Sequence, residues 1–210
     1  AAARKLGLAS TGSAVRGGGA STTNLWLEPG TLSPETIVTS TRRGLVDSAY
    51  NARRSQCEEA ARFLGVKSLR DVGSEKFKER SEKLDAVLMR RARHIVTENE
   101  RVLRAVDTMR AGDASALGKL FNESHASLRD DFEVTNDALN QIVEIAQARP
   151  ECFGARMTGA GFGGCAVAVV RREKAGAFAE AVGAEYRARS GKEAEIFVCE
   201  AGEGARVIKM

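Results

Sequence analysis

Between Arg156 and Val170 the chain reads RMTGAGFGGCAVAVV. A polar strand runs into a turn carrying Gly159, Gly161, Gly163 and Gly164, and an apolar, β-branched strand leaves it. Glycine at this density lets the backbone take positive φ and approach its neighbours closely. Successive N–H groups in such a turn form a concavity that suits an anion such as a phosphate. A tight hairpin that holds no ligand has the same composition, and the spacing alone does not choose between the two. Tyr50 is the other residue with a chemical use. A phenol can stack on a sugar ring and donate to a hydroxyl for about 1 kcal/mol net, yet its place on a helical apolar stripe favours the core. Arg42 and Arg43 could face anionic phosphates or simply water.

The remaining reactive side chains point to no catalytic constellation. His94 and His125 are the only histidines; they fall on different predicted helices, at no metal-ligand spacing, and are expected to be structural. His125 in NESHAS has serines beside it but no ordered nucleophile and orienting acid. Asp130 and Asp131 have the form of an acid–base pair; the expectation is that they are structural acids bridging to nearby arginines. Cys57, Cys152, Cys165 and Cys199 lie far apart with no CxxC pair, so neither a zinc site nor a dithiol redox motif is indicated. Cys57 and Cys165, among apolar neighbours, read as buried thiols in a reducing cytoplasm. No catalytic residue and no metal ligand is assigned.

These residues must be positioned by an α+β arrangement. Thr36 to Thr41 reads as a strand. Val46 to Leu64 has helical periodicity, with Val46, Ala49, Tyr50, Cys57, Ala60 and Leu64 on one face and Gly65 as cap. One long helix is expected from Glu82 to Arg110, its stripe made of Leu88, Ala92, Ile95, Val102, Val106 and Met109. Helices follow at Leu117 to Leu128 and Asp137 to Ala148, the latter stopped before Pro150. After the glycine hairpin come a helix, Glu173 to Arg187, and a strand, Glu195 to Glu200. The order implies a small antiparallel sheet with helices packed on one face.

Composition narrows the function classes. The 210 residues are 43% hydrophobic and 29% charged, ordinary for a soluble globular chain. The net charge of +4 could suggest nucleic acid, but the basic residues alternate with acids along helices, and aromatics are only 5%. Nucleic-acid binding is therefore not expected. No apolar run is long enough to span a membrane. Residues 1–34, rich in Ala, Gly, Ser and Thr, read as a flexible leader with some transit-peptide character. Their GGGASTTN is spelled like a phosphate loop, but Leu25 to Gly30 behind it ends in a Pro-Gly turn instead of opening a helix.

The glycine segment closely resembles the third motif of the galactokinases, in the superfamily of galactose, homoserine, mevalonate and phosphomevalonate kinases. Three further segments resemble that family in order: RRGLVDSAYNARRSQCEEAARFLG (Arg42 to Gly65), RRARHIVTENERV (Arg90 to Val102) and LFNESHASLRDDFEVT (Leu120 to Thr135). The ending GARVIKM is also similar, so the resemblance covers residues 35–210. It implies the C-terminal domain of a two-domain sugar kinase. Tyr50 would then contact galactose, and Gly159, Gly161, Gly163 and Gly164 would support the phosphate-binding loop, with Arg42 and Arg43 secondary. Ala160 stands where many relatives have glycine, and is tolerated if its φ is negative. The complete enzyme would use ATP and Mg²⁺ to phosphorylate the anomeric hydroxyl of galactose.

Three features of that family are not recognisable here: the sugar-gripping N-terminal motif, the Gly/Ser-rich ATP loop and the catalytic Asp. The first aspartate is Asp47, with only Glu28 and Glu35 before it. The expectation is thus a C-terminal portion that binds neither ATP nor Mg²⁺ alone and is inactive without an N-terminal domain. Two alternatives remain: a non-catalytic sugar sensor or partner-binding protein of this fold, and a kinase for a related sugar such as N-acetylgalactosamine.

Overall fold

The computed structural model describes residues 32–39 and 46–199. Arg42, Arg43, the GGGASTTN segment and GARVIKM lie outside the described residues. The elements run β1 (Leu32–Thr39), α1 (Val46–Phe63), a 3-10 turn (Leu69–Asp71), α2 (Ser74–Ser81), α3 (Ala86–Arg110), α4 (Ala114–Asp130), α5 (Asp137–Gln147), β2 (Cys152–Thr158), β3 (Cys165–Arg171), a second 3-10 turn (Arg172–Lys174), α6 (Ala175–Ser190) and β4 (Ala194–Val198).

The strands form one antiparallel sheet in the order β2-β3-β1-β4. β1 starts at Leu32, four residues before the predicted Thr36. Pro34 is accommodated because β4 pairs only with Glu35 to Thr39, so no described strand needs a donor from Pro34 on that side. β-branched and small residues alternate along β3, and Ala166, Ala168 and Val170 join Ile37 and Ala155 on one face. Against that face α5 lays Ile142, Val143, Ile145 and Ala146, and α6 lays Phe178, Val182 and Tyr186. Each large apolar side chain so buried contributes roughly 1.5–3 kcal/mol. The expected small antiparallel sheet forms, with α5 and α6 packed on this face.

α4 takes a different position, along the β2 edge. Its Leu117, Leu120 and Phe121 cluster with Val167 and Val169 of the other sheet face. A β-bulge leaves Phe153 without a register partner between Cys152 and Gly154, and the displaced Phe153 carbonyl presses on Gly118 of α4. Beyond this contact, α4 side chains replace the missing edge strand. Asn122 Oδ1 accepts from the Ala155 N–H at 3.0 Å and His125 Nδ1 from the Met157 N–H at 3.2 Å. The edge donors that would otherwise be open to another chain are thereby covered.

α1 and α3 pack through a separate core containing Ala60, Leu64, Leu69, Phe77, Ala92 and Val96. The helix predicted to run from Glu82 is a single helix that begins at Ala86, and a short helix, α2, that the sequence did not suggest lies before it. Asp85 caps α3, its carboxylate accepting from the Val87 N–H at 2.8 Å, and α2 precedes it. An Asp side chain that bonds the N–H two residues on fixes where a helix starts. The stripe of α3 also differs from expectation: Val102 and its neighbour Leu103 are exposed, whereas Arg91 and His94 are buried. Periodicity found the helix but not which partners its face would meet.

Candidate functional site

The β2–β3 turn is built from left-handed backbone. Gly159 (φ +82°), Gly161 (+83°), Phe162 (+60°), Gly163 (+128°) and Gly164 (+99°) all lie there, and Ala160 does not, so its methyl group is accommodated as expected. A non-glycine residue at φ +60° carries strain that its surroundings must hold. They do so twice at Phe162: its N–H donates to the Val134 carbonyl at 2.6 Å, and its ring joins Leu128, Val134, Leu139 and Met157. Gly161 is pressed on Val134 so closely that a Cβ would lie 2.9 Å from the Val134 Cβ and nearer still to its oxygen.

The strand entering the turn is fixed as firmly. Met157 is held by His125, and Arg156 donates to Glu98 of α3 at 3.2 Å. Glu98 also accepts from Ser124 Oγ at 2.6 Å and from Arg101. Burial raises the Glu98 carboxyl, but the Ser124 hydrogen bond and the Arg156 and Arg101 cations outweigh it and keep it below the usual range.

The segment Asp131–Val134 is the backing of the turn, and arginines hold it from two helices. Arg53 of α1 donates from Nε to the Phe132 carbonyl at 2.6 Å and from Nη2 to the Glu133 carbonyl at 3.0 Å. Arg91 of α3 donates to the Asp131 carbonyl, to the Glu133 carboxylate, and to Gln56 at 2.9 Å. Arg93 pairs with Asp131, and Arg90 with Glu133 at 3.2 Å. Glu133 itself stands at φ +53°, and the Arg91 guanidinium beside it holds its carboxyl below the ordinary range. Three of the sequence motifs, AYNARR, RRARH and RDDFEV, thus converge behind the fourth.

Tyr50 sits on α1 one turn before Arg53 and is 53% exposed. It is not a core residue, contrary to the apolar stripe on which it lies, and its ring is exposed. Asp131 and Asp130 pair with Arg93 and Arg129, in keeping with structural acids. Cys165 is buried, as expected, and Cys57 only half-buried. Among the described residues no group of three or more His, Cys, Asp or Glu could hold a metal ion, and no helix is long and apolar enough to cross a membrane. Sequence reasoning did not single out Arg53, Arg91, Glu98, Val134 or Arg156. Arg53 and Arg91 lie inside matched motifs, and their place among apolar positions was the available signal.

Both histidines are structural, as expected. His94 Nδ1 lies 2.9 Å from Ser127 Oγ and its ring stacks on Phe132 at 4.5 Å. His125 accepts at Nδ1, so its neutral ring carries the proton on Nε2. Burial pushes each down to about 4. An unfolded histidine takes its proton near pH 6.5, so below that pH the unfolded chain binds more protons. The stability the pair contributes is complete above about pH 6.5 and is lost as pH falls toward about 4. The urea midpoint is expected to drop between about pH 7 and pH 4.5, with His125→Asn flattening the drop. A midpoint constant over that range would mean both rings are solvated.

Comparisons with known proteins bear on the whole arrangement. The family model for the C-terminal domain of GHMP kinases matches residues 105–188. A curated galactokinase of Mannheimia succiniciproducens is 47% identical over 170 residues, covering 79% of this chain and 44% of the relative. The crystal structure of Lactococcus lactis galactokinase complexed with galactose superposes with a TM-score of 0.80 at 38% identity, covering 86% of this chain and 48% of that one. The chain therefore spans less than half the length of the curated relative it matches. A second family model, the PmbA/TldA metallopeptidase C-terminal domain, matches residues 1–55, most of them outside the described residues.

Proposed function

Since the chain belongs to the galactokinase family, with the fold of the GHMP-kinase C-terminal domain, we propose that it supplies one wall of a sugar-kinase active site. The reaction is transfer of the ATP γ-phosphoryl group to the anomeric hydroxyl of galactose. The observation that carries this reading is the glycine turn: a run of left-handed residues braced at Val134, on a segment gripped by Arg53 of the helix that presents an exposed tyrosine.

Phosphoryl transfer depends on positioning and charge stabilisation more than on covalent help from the protein. Tyr50 stacks on the sugar and bonds a hydroxyl. The glycine turn supports the loop that wraps the ATP phosphates, a loop contributed by the N-terminal part of the enzyme, as is the base that activates the hydroxyl. In the complete enzyme Mg²⁺ would accompany ATP and neutralise phosphate charge as the group is transferred. Four widely spaced cysteines with no CxxC pair suit a reducing, cytoplasmic setting.

Tyr50→Ala is expected to raise KM for galactose about fivefold, from the loss of ~1 kcal/mol of contact, without moving the melting midpoint. An unchanged KM would remove Tyr50 from the site. The reading as a whole is tested by ATP- and galactose-dependent ADP release from the chain alone and mixed with a separately made N-terminal half of a galactokinase. Silence alone and turnover on mixing is the expected result. Turnover by the chain alone would overturn the division of labour. Silence in both, with galactose still bound, would leave a non-catalytic sugar-binding protein.

A further inference from the structure

We propose that Arg53 is a positioning residue that keeps the glycine turn in its left-handed form by gripping the segment behind it. From Asp131 to Val134, four consecutive main-chain carbonyls are each turned onto a specific donor. Arg91 takes the first, Arg53 the second and third, and the Phe162 N–H the fourth. Four carbonyls pointing at four separate donors is not a helix or strand pattern, and the backbone reaches it through Glu133 at φ +53°. Such a conformation persists only where the surroundings over-determine it.

Arg53 is the member that reaches across from α1. Its planar fork spans two adjacent carbonyls, which a lysine ammonium, a single compact charge, cannot do from one position. Its guanidinium is mostly covered, with 17% of the side chain exposed, and burial lowers its pKa first, with the nearby Arg91 cation adding to that. If this grip is lost, Val134 is freed from one side. The Phe162 N–H then loses a fixed acceptor, and Phe162 can leave φ +60°. Because Tyr50 stands one turn away on the same helix, the grip also sets the sugar side and the phosphate side in one register; this last consequence rests on the function proposed above.

The test is amide hydrogen exchange of the full chain, followed by NMR without ATP or sugar. In Arg53→Met the Phe162 amide is expected to exchange about tenfold faster or more, the loss of two charge-assisted hydrogen bonds being transmitted locally. Amides in α5 and α6 should keep their rates. Arg53→Lys should not restore Phe162 protection, and Arg54→Met, which removes the exposed pair with Glu58, should change nothing. If Arg53→Met does not fold, Arg53→Lys carries the comparison. Unchanged Phe162 protection in the folded variant would overturn the proposal, as would a uniform acceleration throughout the chain, which marks general destabilisation. The readout needs no substrate, so a silent mixing experiment refutes the kinase reading without touching this one.

Discussion

Gly161→Val is expected to destabilise the fold by about 3 kcal/mol or more and to remove whatever activity the reconstituted enzyme shows. Two penalties add. At φ +83° any L side chain is strained, and for a β-branched one the left-handed region is a true outlier. The new Cβ would also lie 2.9 Å from the Val134 Cβ and closer to its carbonyl oxygen. Relief by moving Val134 is closed off, because Asp131, Phe132 and Glu133 are held by Arg91 and Arg53 and the Val134 side chain is itself buried. Backbone strain alone would cost ~1–3 kcal/mol; the collision adds to it. Urea unfolding checks it, and an unchanged midpoint would mean that the turn does not rest on Val134.

Gly118→Ala is expected to be as damaging, against the ordinary rule. Within an exposed helix, alanine for glycine gains about 1 kcal/mol. Here the added methyl would overlap the Phe153 carbonyl, well inside the 3.0 Å that Cβ contacts essentially never breach, and Gly154 faces Gly118 with the same lack of room. Backbone meets backbone, so no side chain can swing aside. α4 must lift from β2, and with it go the Asn122 and His125 acceptors of the Ala155 and Met157 N–H groups. A net loss of about 3 kcal/mol would lower Tm by roughly 6–12 °C for a domain of this size. A variant as stable as the parent would show that helix and strand stand further apart.

The glycine turn was legible because no other residue type serves that backbone, so its conformation is written in its composition. Helix ends were legible for the same local reason: Gly65 and Pro150 act on their own residues and immediate neighbours. The short helix α2 was not, since its eight residues, SEKFKERS, carry little apolar period, and Asp85 resembles any surface acid until its carboxylate is seen on Val87. Tyr50 was ambiguous for a related reason. The stripe on which it lies is real, but which partners cover that stripe is not a property of α1.

What the sequence by itself determined is local and compositional: a left-handed turn at 159–164, the helices and strands apart from α2 and the break that follows it, the absence of a CxxC pair, and motifs similar to the galactokinases. Those follow from steric limits and periodicities that act over a few residues. Only the tertiary structure decided that α4 would close the sheet edge, that Val102 would face water and Arg91 the interior, and that arginines 53 and 91 would meet one four-residue segment. Arg53 lies 79 residues from Phe132 along the chain. A hydrogen bond over that separation has no local signature, because its donor and acceptor become neighbours only when two helices and a loop have packed.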